Sequence, residues 1–410
     1  MAEPTSSPAT THPADEIPMR RGCPMRPPAE YADLRANGPT RMRMPDGQPV
    51  WAVTRHRDVQ AILASPDFSA DNRTPGLPLI KPEAQEVLDN PTFLRKDPPE
   101  HTAERRTLIP EFTLRRVRRL RPGVEHATAG LLDEMLRNGS PADLVESLAL
   151  PLPSLVICQL LGVPYSDHEY FQTRAGAVLS RSSTPEQTST AYSELFAYLD
   201  DLLTRKQRHP EDDVMSRLAT EHLKPAGDFD RETVIRMCTL LLAAGHETTA
   251  NMIALSTVTL LERPDLVAVL RDQPDKRSDV VAELLRFHSI ADVIPTRVAV
   301  RDTEIGGVTI AEGEGAIALL AGANWDPEIF DVPERVQIRA GDQRHLAFGY
   351  GIHQCLGANL ARMELEVVLP AMFERLPGLR LDAPVAELDY KYDGVVFGLH
   401  SLPVRWETPA

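Results

Sequence analysis

The longest helical pattern in the sequence starts after Asp230 and stops before Pro264. No proline interrupts residues 231–262, and aspartate is a favoured residue for capping the N-terminus of a helix. Roughly 32 residues at about 1.5 Å each predict a helix close to ~50 Å long, which is enough to cross a whole domain. Residues 240–244, in the middle of this pattern, are apolar on every side, so we expect that part of the helix to be buried.

Polar residues interrupt the helix directly after its apolar centre. They are Gly245, His246, Glu247, Thr248 and Thr249. A glycine costs ~1 kcal/mol inside a helix, and a carboxylate or hydroxyl group in an apolar wall needs a partner. The hydroxyl group of Thr248 can bond to the carbonyl group four residues earlier and bend the helix. The pattern indicates either a kink stabilised by threonine or, as we favour, a polar notch suited to water and protons, in which His246 has no assigned role.

Strand patterns are shorter and fewer than helical ones. Residues 41–54 alternate around a Pro-Asp-Gly turn and residues 305–320 carry turn glycines, so each stretch predicts a β-hairpin. The second stretch also matches a G-x-G-x-x-A dinucleotide fingerprint, but it lacks the strand-to-helix context that such a site needs. Helical patterns dominate elsewhere, including two that are separated by a break near residues 182–185. We therefore expect a mainly α fold with a smaller β-rich part.

Composition restricts the domain organisation and the classes of partner. The chain shows no linker or repeat that would divide it, so we expect a single domain at residues 21–410 after a disordered tail at residues 1–20. Its 44 basic and 59 acidic residues give a net charge of −15, which argues against nucleic acid or an anionic membrane as a partner. Four scattered cysteines, no signal peptide and no apolar run of roughly 18 residues predict a cytoplasmic protein without a membrane anchor.

One cysteine, Cys355, ends a glycine-rich loop that begins at Phe348 and precedes a long helical pattern. Gly349 and Gly351 allow a tight loop, and the N-terminal end of a helix favours a thiolate. A lone thiolate is a poor zinc site, because zinc usually takes about four ligands at short spacings. A single axial thiolate with room for a large planar ligand is typical of haem-thiolate ligation.

The loop sequence F-G-x-G-x-H-x-C-x-G resembles the haem-binding loop of the cytochrome P450 superfamily. The sequence A-G-x-E-T-T at residues 244–249 is similar to the oxygen-binding groove of the family's I-helix. The resemblance covers nearly the whole chain after about residue 25 and is closest to soluble actinobacterial members that act on macrolides, terpenoids, steroids or drugs. It implies a haem b that is ligated by Cys355 and buried between the long I-helix and the Cys-loop with the L-helix behind it.

The resemblance also assigns residues by matching position. Residues 97–106 match the helix whose histidine and arginine bind a haem propionate, and residues 294–299 match a strand whose arginine binds a propionate. The expected cofactor-binding residues are His101, Arg105, Ala244, Arg297, Phe348, Gly349, His353, Cys355 and Gly357. The expected substrate-pocket residues are Arg73, Leu241, Ala244, Val293, Ile294, Val396 and Phe397. Glu247 and Thr248 are expected to be catalytic, and Glu283, Arg286 and Arg335 to form a structural charge network.

The reaction that the resemblance implies is monooxygenation. Molecular oxygen and electrons from a ferredoxin and its ferredoxin reductase would be used to hydroxylate or epoxidise an apolar small molecule. A peroxide-driven haem-thiolate enzyme and a non-catalytic haem sensor are alternatives, and the Glu247-Thr248 pair argues against both. The basic residues 115–121 either dock the ferredoxin or form a solvated helix face whose arginines pair with local acids such as Glu111 and Glu125.

Overall fold

The structure is a computed structural model that describes residues 16–83, 85–225, 227–341 and 344–407. Helices dominate these residues, and the strands are short. The helices are α1 (Tyr31–Asn37), α2 (His56–Ala64), α3 (Gln85–Asp89), α4 (Glu100–Leu108), α5 (Leu114–Asn138), α6 (Pro151–Leu161), α7 (His168–Leu179), α8 (Pro185–Arg208), α9 (Val214–Arg217), α10 (Arg231–Leu261), α11 (Pro264–Asp272), α12 (Arg277–His288), α13 (Leu320–Asn324) and α14 (Ala358–Arg375). The strands are β1 (Thr40–Arg43), β2 (Pro49–Val53), β3 (Phe68–Ser69), β4 (Ala142–Asp143), β5 (Thr296–Ala299), β6 (Thr303–Ile305), β7 (Val308–Ile310), β8 (Gly315–Ala318), β9 (Arg380–Leu381) and β10 (Pro403–Arg405).

Helix α10 is the central element of the fold, and its prediction from the sequence is confirmed. It is 31 residues long and starts where the carboxylate of Asp230 accepts a hydrogen bond from the backbone N–H of Thr233 at 2.7 Å. It ends before Pro264, which opens the next helix. Its second half, from Thr249 to Leu260, is buried at every residue, and α6, α7, α8 and α14 pack against it. No helix in the described ranges is both long and apolar enough to cross a bilayer.

The main sheet has the strand order β1-β2-β8-β5-β3. Strands β1 and β2 form the predicted antiparallel hairpin, and β8 pairs in parallel with β2 and antiparallel with β5. The single hairpin predicted over residues 305–320 is wrong. Strands β6 and β7 form a smaller hairpin, whereas β8 joins the main sheet. All four residues of β8 are buried in that sheet. This pairing sets Arg297 of β5 opposite Ala316 of β8.

The described N-terminal residues pack against the main sheet. Ile17 is 5% exposed, and its backbone N–H donates to the carbonyl group of Arg43 at 2.9 Å. Ordered contacts therefore begin before residue 20, where the disordered tail was expected to end. The expectation for residues 1–15 lies outside the described residues.

The predicted break between two helices is confirmed as the loop between α7 and α8. Thr184 caps α8, because its side chain accepts a hydrogen bond from the backbone N–H of Gln187. The side-chain oxygen of Gln187 in turn accepts a hydrogen bond from the backbone N–H of Thr184. The loop is tied to a turn near the C-terminus. The N–H of Arg181 donates to the carbonyl group of Asp393 at 2.7 Å, and the N–H of Val395 donates to that of Leu179 at 2.9 Å.

Candidate active site

The loop before α14 presents the sulfur of Cys355 to an internal cavity. Gly351 has a φ of 71°, and a Cβ atom there would lie 2.3 Å from the carbonyl oxygen of Leu63, so only glycine fits this turn. The backbone N–H of Cys355 donates to the carbonyl group of Phe348 at 2.8 Å and closes the loop. Burial raises the pKa of the Cys355 thiol, whereas the backbone N–H of Gly357 lowers it. The sequence therefore fixes one thiol just before the first turn of a helix.

The cavity lies between this loop and α10, and most of its wall is apolar. Leu241, Ala244 and Thr248 face it from α10, and Ile294 faces it from the segment before β5. The hydroxyl group of Thr248 donates to the carbonyl group of Ala244 at 2.8 Å, as predicted. Further residues that line the cavity include Phe93, Leu94, Phe112, Ile157, Leu240, Met252, Ile290, Leu320, Phe348, Leu356 and Leu360. The wall is suited to a large apolar group and carries a polar group at Thr248.

Two histidines and two arginines that the sequence predicted meet at one end of the cavity. The rings of His101 on α4 and His353 in the loop are 4.2 Å apart between centroids. The side chain of Arg105, one turn after His101, donates to the carbonyl group of Gln354 at 2.5 Å. Arg297 comes from β5 and is 5% exposed. A further arginine, Arg95, lines the same wall and donates to the hydroxyl group of Thr296 at 2.8 Å.

Positive charge accumulates in this cluster. Burial and then Arg297 lower the pKa of His353 to about 2, and burial and then Arg105 lower the pKa of His101. Burial and then Arg95 lower the pKa of Arg297 to about 10. A nearby negative charge would stabilise the protonated form of each of these groups.

The residues present fit a haem. All four ring nitrogens of His101 and His353 are buried without a hydrogen-bond partner among the described residues. Among the residues that the structure describes, the guanidinium group of Arg297 donates a hydrogen bond only to the carbonyl group of Thr296, the preceding residue. Unpaired buried donors are costly, and the two propionates of a haem would supply the missing acceptors. The sulfur of Cys355, which lines the same cavity, would ligate the haem iron.

Several residues that were expected in the substrate pocket lie elsewhere. Arg73 forms ion pairs with Asp71 at 2.6 Å and Glu100 at 3.2 Å, and 43% of its side chain is exposed. These two carboxylates hold the Arg73 side chain near the surface, and no pattern in the sequence predicted the pairing. Val293 is buried in a separate apolar cluster between α1 and the main sheet.

Val396 and Phe397 lie in the turn behind the cavity wall. Val396 is 2% exposed in the main apolar core, and the ring of Phe397 lies under the guanidinium group of Arg21 at 4.1 Å. The backbone N–H of Phe397 donates to the carbonyl group of Ile290, a residue of the wall, at 2.9 Å. The turn thus supports the cavity, while these two side chains point into packing contacts.

The two residues expected to be catalytic point in different directions. Thr248 lines the cavity, whereas the carboxylate of Glu247 forms an ion pair with Lys391 at 2.9 Å. His246, which received no role, donates a hydrogen bond from Nδ1 to the carbonyl group of Leu242 at 2.8 Å and packs edge-on against Phe171.

The predicted charge network contains two of its three expected side chains. Arg286 and Glu283 form a buried ion pair at 2.8 Å, and Arg286 also donates to the carbonyl group of Asn324 at 2.8 Å. The third side chain is that of Arg339, whose guanidinium group lies 2.5 Å from Glu283. Arg335 is exposed and contributes only its backbone carbonyl group, which accepts from Arg286 at 3.2 Å. The prediction of the Arg335 side chain is corrected on this point.

Sequence reasoning missed Arg95, Arg339 and Lys391. Each lies in a loop or a short turn, where no helical or strand period shows which way a side chain points. The one available signal was charge, since each is a basic residue in an acidic chain, and that signal does not separate them from the other 41.

Comparison with known proteins gives these features a family. The family model for cytochrome P450 matches residues 278–384. Cytochrome P450-SU2 of Streptomyces griseolus is 44% identical over 408 residues, which cover 99% of this chain and 99% of that protein. A vitamin D3 dihydroxylase of the same species is 43% identical over 409 residues, covering 99% of this chain and 100% of that protein.

A solved structure agrees with the sequence relatives. The crystal structure of the mycinamicin VIII C21 methyl hydroxylase MycCI from Micromonospora griseorubida, bound to mycinamicin VIII, matches with a TM-score of 0.89 at 40% identity. The match covers 95% of this chain and 99% of that one. Identity at this level over nearly the full length accompanies a single cysteine at a cavity that fits a haem. The chain belongs to the cytochrome P450 family and is a haem-thiolate monooxygenase.

Proposed function

We propose that this enzyme hydroxylates or epoxidises an apolar small molecule that binds against α10, using electrons from a separate ferredoxin. The observation that carries the proposal is the Thr248 hydroxyl group on α10 in a mainly apolar cavity that Cys355 also lines. A mainly apolar cavity with a few placed polar groups is the arrangement expected for a site that binds by burial and fixes the orientation of its ligand.

Cys355 would ligate the haem iron, and His101, Arg105, Arg297 and His353 would hold the propionates, with Arg95 behind them. Ala244, Phe348, Gly349 and Gly357 would contact the faces and edges of the ring. When bound, the haem supplies the oxygen activation and the electron transfer that the reaction requires. The protein supplies orientation and excludes bulk water, because the wall formed by Leu241, Ile294 and their neighbours leaves little room for competing polar contacts.

Proton supply is assigned to the polar notch of α10. The hydroxyl group of Thr248 can donate a hydrogen bond to the carbonyl group of Ala244 and accept a hydrogen bond from water at the same time. Glu247, one residue earlier, would exchange protons with solvent on the outer side of the helix and pass them towards Thr248. Proton transfer by a positioned group typically contributes ~10²–10⁴ in rate.

The substrate is proposed to be a large apolar molecule of the macrolide, terpenoid, steroid or xenobiotic class. The relatives support this breadth, since one is named for vitamin D3 and another was crystallised with mycinamicin VIII. The apolar wall supports the class, and Phe93, Phe112 and Ile157 would set the shape that the substrate must match.

The electron donor is proposed to dock beside the Cys355 loop. The first turns of α5 lie against this region, because the side-chain amide of Asn359 on α14 donates to the carbonyl group of Phe112 at 3.2 Å. Leu114 and Ile352 are 57% and 51% exposed there. Arg115, Arg118 and Arg119 are exposed in the same first turns of α5 as Leu114. Exposed apolar and basic side chains of this kind suit a transient complex with an acidic ferredoxin.

A single domain and a cytoplasmic location are also proposed for this chain. One apolar cluster includes residues from Phe93 to Trp406, which supports a single domain over the described chain. A cytoplasmic location fits the reduced cysteines that the structure describes, among them the buried Cys158 and Cys238.

A binding screen followed by turnover tests the proposed function. Apolar compounds are titrated into the haem-loaded enzyme, and binding is followed through the spin-state change of the haem spectrum. Bound compounds are then incubated with oxygen, a ferredoxin, its reductase and NAD(P)H. The proposal expects an oxygenated product and reductant consumption that depends on the compound. Product formed only from added peroxide would favour the peroxide-driven alternative, and binding without turnover would favour a sensor.

A further inference from the structure

The ion pair between Glu247 and Lys391 joins the polar notch of α10 to the C-terminal turn, which we define as residues 390–399. The distance from the Lys391 ammonium group to the Glu247 carboxylate is 2.9 Å. Their side chains are 15% and 14% exposed. Neither side chain lines the cavity, so the exposed part of each faces away from it, on the solvent side of the notch. An ion pair shielded to this degree is weakened less by solvent than a surface pair.

Backbone contacts explain why the side chain of Lys391 reaches the carboxylate of Glu247. The backbone N–H of Lys391 donates to the carbonyl group of Gly398 at 2.9 Å, which pairs the two sides of the turn. Gly398 lies directly on α10, since a Cβ atom there would be 2.1 Å from Cγ of Asn251. Asn251 is four residues after Glu247 and therefore lies one helical turn further on the same face. Because Gly398 has no side chain, the turn can pack directly against α10, and this brings Lys391 within reach of the Glu247 carboxylate.

The same turn is bonded to the loop between α7 and α8. Two backbone hydrogen bonds join them, from Arg181 to Asp393 at 2.7 Å and from Val395 to Leu179 at 2.9 Å. A third backbone bond, from Phe397 to Ile290, joins the turn to the cavity wall. The loop, the wall and the notch of α10 are therefore connected through one short segment.

We propose that Lys391 is a positioning residue for proton supply, which holds the Glu247 carboxylate at the outer end of the notch only while the loop between α7 and α8 is closed. The inference rests on the proposed function and adds a link between that loop and Glu247. In the closed arrangement, Glu247 takes a proton from solvent water and passes one towards Thr248, so that only O–H bonds form and break. When the loop opens, the turn moves with it, the ion pair breaks and Glu247 loses its fixed position.

Hydrogen exchange tests the physical link without relying on catalysis. Lys391→Met is compared with the wild type and with Arg236→Met, which removes a partly buried cation and its ion pair from the same helix at its far end. The proposal expects faster backbone exchange at residues 179–184 and 392–398 in Lys391→Met alone. Unchanged exchange in both segments, or the same increase in Arg236→Met, would overturn the link.

Coupling of reductant to product tests the role in proton supply. Lys391→Met should keep the spin-state change on substrate binding but lower the fraction of reductant used for product by roughly ten- to a hundredfold, which is the range that misplacing a catalytic group costs. Lys391→Arg, which keeps the cation, should restore most of the coupling. The solvent isotope effect on turnover should change in Lys391→Met and return in Lys391→Arg.

A double substitution separates this role from an unrelated one. Because Lys391 acts through Glu247, adding Lys391→Met to Glu247→Gln should lower the coupling no further. Additive losses, or unchanged coupling in Lys391→Met, would overturn the proposal. If the wild type itself makes no product, the proposed function fails, and the exchange measurement still decides whether the link exists.

Discussion

At the scale of single residues, Cys355 differs from the other cysteines because a glycine-rich loop holds it just before α14. A glycine-rich loop before a helix leaves few places for the thiol, and the close approach of Gly351 to Leu63 shows why the loop needs its glycines. The other cysteines lack this context. Cys158 and Cys238 lie in the apolar core, where burial raises the pKa of each thiol to about 12.

The substitution Cys355→Ser is expected to remove the thiolate signature of the haem. The reduced carbon monoxide complex of the wild type should show a strongly red-shifted Soret band, and Cys355→Ser should lose that shift, because a serine oxygen is a weaker electron donor than a thiolate. Cys23→Ser, which changes an exposed cysteine, is the matched control and should keep the band. A red-shifted band in Cys355→Ser would rule out the assigned ligand.

The network around Glu283 shows where residue-level prediction failed. The i, i+3 spacing identified the ion pair between Glu283 and Arg286 because both lie on one helix, whose geometry is fixed. The third cation lies in a loop, and motif order placed it at Arg335. The structure places the guanidinium group of Arg339 there instead. Sequence spacing cannot show which of two loop arginines turns inward.

Arg339→Leu and Arg335→Leu should therefore have different effects on stability. Losing a charged hydrogen bond to the buried Glu283 should lower the free energy of unfolding by about 1.5–3 kcal/mol. Arg335→Leu changes an exposed side chain and should stay within ~0.5 kcal/mol of the wild type. Denaturant unfolding of the two variants measures the difference in stability. Equal losses of stability would show that the Arg339 side chain contributes no more to the network than that of Arg335.

At the scale of elements, the long helix α10 was predictable because its signals are local. The cap at Asp230, the absence of proline and the apolar centre each depend on neighbouring residues. The predicted hairpin over residues 305–320 failed because β8 pairs with β2, which lies far away in the sequence. Such pairing leaves no local pattern, and a strand buried on both faces looks like any short apolar run.

The polar notch of α10 makes a prediction about Thr248. Thr248→Ala removes one hydroxyl group of the notch from the cavity wall, while Thr249, which also lines the cavity, and the apolar residues stay unchanged. Haem and substrate binding should persist, and reductant should be diverted to hydrogen peroxide, because protons no longer reach the site in order. Thr257→Ala is the matched control, since Thr257 makes the same bond to a carbonyl group one turn earlier on the same helix but lies in the core. A similar loss of coupling in both variants would point to a general effect on the helix.

At the scale of the whole molecule, charge is distributed unevenly. The chain has a net charge of −15, yet exposed arginines gather at the start of α5 beside the Cys355 loop. The interpretation of residues 115–121 as a solvated helix face that pairs with local acids holds for two arginines, and docking of a ferredoxin by the others stays a proposal. Arg116 pairs with Asp212 at 2.9 Å and Arg121 with Glu366 at 2.9 Å, whereas the side chains at 115, 118 and 119 form no ion pair with any residue that the structure describes.

Arg119→Glu is expected to weaken docking of the ferredoxin. The apparent KM for ferredoxin should rise and its dependence on salt should flatten, because attraction between exposed charges is screened by ions. Peroxide-supported turnover should survive, since the cavity is untouched. Arg137→Glu makes the same change of charge at the far end of the same helix and should leave the KM unchanged. Equal effects of the two variants would show that overall charge, and no local surface, is responsible.

The source of the oxygen atom in the product decides whether this chain is an oxygen-using monooxygenase. A substrate found by the spin-state screen is turned over under ¹⁸O₂ in ordinary water with ferredoxin, reductase and NAD(P)H, and the product is analysed by mass spectrometry. We expect one ¹⁸O atom in each product molecule, with no such product when oxygen is absent. Product that carries oxygen only from water or from added peroxide would show that the chain does not act as an oxygen-using monooxygenase.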